Sequence, residues 1–221
     1  MADPRQDLRD QILLAALPHV AFDGWTEKTL AQGATDAGLG RRDALRAFPD
    51  GVAEAVLHLS DYADRRMLAE LAKLDLEGMK VRRRVAVAVR LRLEILAPWR
   101  EAVRRSLSFL ALSHNPAGAA RATYRTVSAI WYAAGDTATD FNFYTKRGLL
   151  AGVYGATVLF WLGDPSEDFA DTWAFLDRRL DDIMAIPRLK GRIGEALASV
   201  PTPFEVLRRL GLRSRGRSAS S

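Results

Sequence analysis

A chain of 221 residues and 24.4 kDa, 48% apolar and 27% charged, can bury a core of its own and is too apolar to stay disordered. It contains no cysteine, which excludes disulfides, thiolate metal sites and cysteine nucleophiles. The formal charge of +5 raises nucleic acid as a partner, but residues 1–60 hold six Lys/Arg against nine Asp/Glu and residues 187–221 hold eight against two, so the excess belongs to the C-terminal tail.

Apolar residues recur every three or four positions from end to end, which predicts an all-α bundle of about nine or ten helices. The first helix starts near Pro4 and ends before Gly24, with Leu8, Ile12, Ala15 and Ala16 expected on its inner face. Short helices follow over Thr26–Ala37 and Arg41–Phe48, joined by Gly38-Leu39-Gly40. A long helix is expected from about Val52 to Asp75, then others over Val81–Leu96, Trp99–Ser113, Ala117–Ala134, Phe143–Leu162 and Glu167–Ile186. These divide into a helix-turn-helix-like module (1–50), a helical core (51–186), and a linker, amphipathic helix and tail (187–221). The acidic N-terminus is neither a secretory signal nor a transit peptide, and the uncharged run Gly148–Gly163 is short for a bilayer span. The expectation is a soluble intracellular protein.

Ala21-Phe22-Asp23-Gly24-Trp25, Ala37-Gly38-Leu39 and Phe48 resemble the N-terminal module of TetR-type regulators. DNA binding would run through Arg41, Arg42 and Arg46. A DNA reader releases counterions from several phosphates and needs a basic face, whereas this module is net acidic and carries Asp43 inside the would-be recognition helix. Nucleic acid is therefore an unfavoured partner. A TetR-type repressor with an apolar ligand stays as the alternative reading.

No catalytic constellation is visible. His19, His58 and His114 have no metal-ligand spacing, and there is no nucleophile elbow or P-loop. No cofactor, metal or catalytic residue is predicted, and the chain reads as a non-enzyme.

The segment Gly148–Leu162 is apolar on every face and is expected to be buried all round. Its glycines, Gly148, Gly152 and Gly155, weaken a helix, and either tight packing or a pocket would explain them. The pocket would be lined by Leu149, Gly152, Val153, Phe160 and Trp161. Upstream, five aromatics and several charges crowd into residues 131–147, a mixture that suits either a protein interface or a core with solvated charges.

That stretch reads W-Y-x-A-G-D-x-x-T-D-F-N-x-Y-T-K-R from Trp131 to Arg147, and D-T-W-x-F-L follows at Asp171–Leu176. Together they resemble the TetR-like lipid-binding accessory family of coenzyme Q (ubiquinone) biosynthesis. The resemblance implies a non-catalytic homodimer that holds a lipid or isoprenoid in its interior and presents quinone intermediates to the pathway hydroxylase. On that basis Trp131, Tyr132, Asp136, Asp140 and Arg147 are the expected partner-facing patch. The family is mitochondrial in eukaryotes; without a transit peptide, a bacterial source is expected.

In the tail, Phe204, Val206, Leu207 and Leu210 share one helical arc while Arg208, Arg209 and Arg213 take the other. A basic amphipathic helix after a linker reads as a membrane-surface element, here Phe204, Leu207, Arg208, Arg209 and Leu210. A helix packed on its own or a partner subunit would show the same stripe. The expected location is cytoplasmic, peripherally attached to the inner face of the cell membrane.

Overall fold

Asp3 accepts a hydrogen bond from the Arg5 amide (3.0 Å), and with Pro4 in the first turn this opens α1, Pro4–Asp23. The computed structural model describes residues 3–112, 116–135 and 141–183. After α1 come α2 (Glu27–Asp36), α3 (Arg41–Ala47), α4 (Val52–Leu71), α5 (Val81–Leu96), α6 (Arg100–Leu112), α7 (Pro116–Ala133) and α8 (Phe141–Gly163). Residues 170–183 form a further helix, α9. Every described residue lies in a helix, a turn or a connection, as the periodicity predicts. The predicted boundaries differ from these by a few residues, the widest gap being at α4. That helix stops at Leu71, four residues before Asp75, because Ala72 to Leu74 already turn.

Local chemistry sets the breaks. Thr26 and Thr29 form a reciprocal cap that starts α2, and the Asp43 carboxylate accepts from the Gly40 amide (2.9 Å) at the start of α3. Pro98 sits in a 3₁₀ turn, Ala97–Trp99, joining α5 to α6. Between α8 and α9 the buried Asp164 carboxylate accepts from the Ser166 amide (2.8 Å) and the Thr172 amide (2.9 Å) as well as both hydroxyls. Burial opposes its charge, but these four donors prevail and hold its pKa down at about 2. The corner also places Asp168 and Phe169 at φ 50° and 58°, a left-handed pair without glycine. The Trp173 indole N–H donates to the Asp168 carbonyl (2.7 Å), and the Arg100 guanidinium lies 5.2 Å from the centre of the Phe169 ring.

The chain divides into a compact unit, Met1–Leu180, and a second, Asp181–Ser221, of which residues 181–183 are described. In the first unit α1 packs on α2 and α3 through Ile12, Leu13, Ala16, Leu17 and Val20. This inner face is rotated from the expected one: Leu8 and Ala15 are only half-buried. Gly33 lets α2 approach closely, since a Cβ there would lie 2.6 Å from the Ala16 Cβ. The module is fastened to the core by polar contacts. Arg65 grips Asp10 with two bonds (2.7 and 2.9 Å), Arg9 meets Glu54 (2.8 Å), and the Trp25 indole donates to Ser106 Oγ (2.9 Å). Helix α4 then packs on α5 and α7, and α7 on α8.

Candidate ligand cavity and surface patch

A cavity of about 630 Å³ lies among α4, α5, α6, α7 and α8. Its walls are mostly aliphatic, with Val56 and Leu59 from α4, Leu93 and Leu96 from α5, Val103 and Leu107 from α6, and Val158 and Leu159 from α8. The volume lies within the range of pockets that enclose drug-sized ligands.

One part of the lining is polar. Arg92, only 3% exposed, donates from Nε to Asp64 Oδ1 (2.7 Å), and from Nη2 to Ser60 Oγ (2.9 Å) and the Ser60 carbonyl (3.2 Å). Its Nη1 donates to the Tyr154 hydroxyl. Thr126 Oγ1 lies 3.0 Å from both Asp64 oxygens and is their second donor. Ser60, Arg92, Thr126 and Tyr154 all line the cavity. Burial pushes the Tyr154 phenol above its ordinary pKa, with the nearby Asp64 carboxylate adding to that and Arg92 opposing it, so the ring stays protonated at neutral pH. Arg92 remains charged: burial works against the cation, but Tyr154 and Asp64 lift its pKa above the ordinary value.

None of the five residues expected to line a pocket lines this one. Gly152 is exposed and Leu149 half-buried. Val153 is buried; Phe160 is 40% exposed and stacks on Phe175 at 4.7 Å between ring centres. Trp161 is fully buried, with its ring edge-on to Phe169 and the Arg100 guanidinium 5.7 Å away. The expectation of a helix buried all round is likewise corrected. Gly148, Gly152, Ala156 and Leu159 form an exposed stripe on α8, and Leu159 is 67% exposed. A Cβ at Gly148, Gly152 or Gly155 would meet nothing within 4 Å, so no close packing inside the subunit explains these glycines. A uniformly apolar helix carries no sign of which face turns inward, so the sequence of α8 does not say which of its residues border a cavity.

The tryptophan-tyrosine motif splits in two. Trp131 is buried at 3% exposure, its indole N–H donating to the Lys146 carbonyl (3.1 Å) with the Lys146 ammonium 5.7 Å from the ring centre. Arg147 is also buried, its Nε donating to Ser128 Oγ (3.1 Å). Both therefore brace α7 against α8 instead of facing a partner. Gly135 (φ 86°) ends α7, and Arg84 Nη1 reaches the neighbouring Ala134 carbonyl (3.2 Å). Tyr132, 80% exposed, is the described residue of the patch that faces outward. Asp136 and Asp140 lie outside the described residues, as do Phe204, Leu207, Arg208, Arg209 and Leu210 of the tail.

Sequence reasoning missed Arg92 and Asp64, although a signal was present. Arg92 falls on the same stripe of α5 as Val85, Val89 and Leu96, and Asp64 on the stripe of α4 with Val56, Ala63, Met67 and Leu71. A charge on an otherwise apolar stripe marks a buried pair or a site. His19 and His58, which have no metal-ligand spacing, each meet an aspartate: Nε2 of His19 lies 2.6 Å from Asp36 and that of His58 2.7 Å from Asp10. His114 lies outside the described residues.

Residues 117–187 match the COQ9 family. Human ubiquinone biosynthesis protein COQ9, mitochondrial, is 37% identical over 205 residues, covering 88% of this chain and 64% of that protein. This chain is similar to COQ9 proteins over most of its own length. The Dictyostelium discoideum probable ubiquinone biosynthesis protein coq9, mitochondrial, is 28% identical over 204 residues, covering 90% of this chain and 66% of its own length. The chain thus spans just under two thirds of the length of these relatives. Among solved structures, a TetR transcriptional regulator from Nitrosomonas europaea superposes with a TM-score of 0.65 at 24% identity, covering 79% of this chain and 97% of the regulator. A second, from Rhodococcus sp. RHA1, gives 0.59 at 16% identity, covering 80% and 95%. The fold of this chain is therefore all-α and TetR-like, as the sequence implied. Among its described residues no helix is long and apolar enough to cross a membrane.

Proposed function

We propose that this chain is a non-catalytic accessory protein of ubiquinone biosynthesis that holds a lipid or isoprenoid in the α4–α8 cavity. In this reading it presents quinone intermediates to a pathway hydroxylase at a membrane surface. The cavity is the observation that carries the proposal. Its aliphatic walls hold water poorly, and an apolar occupant would take that surface out of water.

The remaining parts of the proposal rest on surfaces. Tyr132, the outward-facing described residue of the motif patch, is an exposed aromatic available to anchor the hydroxylase. The small-residue stripe Gly148, Gly152, Ala156 and Leu159 is an apolar face that a second copy would cover in a homodimer. The basic amphipathic pattern at Phe204–Leu210 supports peripheral attachment to a bilayer, at the inner face of the cell membrane in a bacterial host. The repressor alternative has less support. Arg41, Arg42 and Arg46 are exposed, but residues 1–60 are net acidic and Asp43 caps the same short helix.

Native mass spectrometry with organic extraction of the purified chain tests the central point. A stoichiometric lipid or isoprenoid is expected, and folded protein recovered repeatedly without one would end the reading. In the same preparation, removing residues 203–221 is expected to abolish flotation with anionic vesicles; unchanged flotation refutes the tether.

A further inference from the structure

Two donors in the polar part of the cavity lining have no acceptor among the described residues. Tyr154 Oη accepts from Arg92 Nη1, so its own hydrogen turns elsewhere, and it has no acceptor among the described residues. Of the two hydrogens on Nη1 only one is used by Tyr154. Asp64, the carboxylate of the cluster, is already engaged by Arg92 and Thr126. Two donors thus remain beside an apolar space, where an unmatched polar hydrogen is costly.

The charge of the cluster narrows the choice further. Asp64 lies 2.7 Å from Arg92 and neutralises it, so the cluster offers hydrogen bonds without a net positive field. A phosphate or carboxylate would be buried there without a free countercharge. A neutral oxygen that only accepts, such as a quinone carbonyl, suits both remaining donors.

Resting on the reading that the cavity takes a lipid, we propose that Tyr154 and Arg92 select the head of that lipid, receiving a neutral hydrogen-bond-accepting oxygen and so favouring an oxygenated ring over a plain hydrocarbon or an anionic head. Tyr154 acts as the specificity-determining donor. Arg92, held by Asp64 and Ser60, fixes its position. The aliphatic walls take the chain of the ligand without discriminating.

Three probes of one chain length separate these possibilities: decylubiquinone, decylbenzene and decanoate, each titrated into the full chain by calorimetry. Wild-type protein is expected to bind the quinone about ten-fold more tightly than decylbenzene, and decanoate no better than decylbenzene. Tyr154→Phe keeps the ring and removes the hydroxyl; it is expected to bring the quinone to within about three-fold of decylbenzene while leaving decylbenzene unchanged. Equal binding of quinone and decylbenzene by the wild type overturns the proposal without need of any variant. So does a preference that survives in Tyr154→Phe, or tightest binding of decanoate. If neither neutral probe binds the folded protein, the lipid reading itself fails, an outcome distinct from binding without selectivity.

Discussion

At Gly33 an added Cβ would lie 2.6–2.7 Å from three atoms of Ala16, whereas at Gly155 it would meet nothing within 4 Å. Both glycines are helical and neither has a positive φ, so conformational freedom explains neither. The first lets α2 of the N-terminal module close on α1 at a distance that only hydrogen allows. The second borders the cavity and leaves room beside α8. The same residue type thus produces a closed joint in residues 1–50 and an open volume in the core. Close packing without voids is the ordinary state of a protein interior, so the core is the departure that needs a reason.

Breaking the polar cluster of the core should cost most. Asp64→Ala leaves Arg92 buried without its carboxylate, and a loss of about 3–5 kcal/mol in denaturant unfolding is expected. A loss below 1 kcal/mol would mean the pair is solvated and the cavity wide open there. Gly33→Ala should follow, with about 3 kcal/mol lost, because the obstructing atoms include backbone and cannot swing away. A neutral result would show that the α1–α2 joint is looser than its geometry. Gly155→Ala should act in the opposite sense and stabilise by about 1 kcal/mol, since the methyl meets no neighbour and the helix loses a weak residue. Destabilisation at Gly155 would place a close neighbour against it and erase the contrast between the two regions.

Much of the contrast could be read from the sequence, but unevenly. Helix positions follow from apolar period and from breakers such as Gly24, Gly38 and Pro49, because those signals are local. The TetR-like fold follows from the module outline and the tryptophan-tyrosine motif. What a motif residue does is not local. Trp131 and Arg147 read as surface anchors, yet both are buried where α7 meets α8, while Tyr132 between them points out. The D-T-W-x-F-L run proves to be a corner device: Thr172 donates to the Asp164 carboxylate, Trp173 donates to the Asp168 carbonyl and Phe175 stacks on Phe160. The cavity walls come from five helices far apart in sequence, so only Arg92 and Asp64, charges on apolar stripes, hinted at their location.

Helix α4 serves the two regions at once. Glu54, His58 and Asp61 reach Arg9, Asp10 and Gln6 of α1, while Val56, Leu59 and Ser60 border the cavity. One rigid rod therefore has a hand in each compartment, and cargo that nudged its inner side would tug on ionic links at its outer side. Amide exchange around α1, remote from any guest, would then be the place where loading becomes visible.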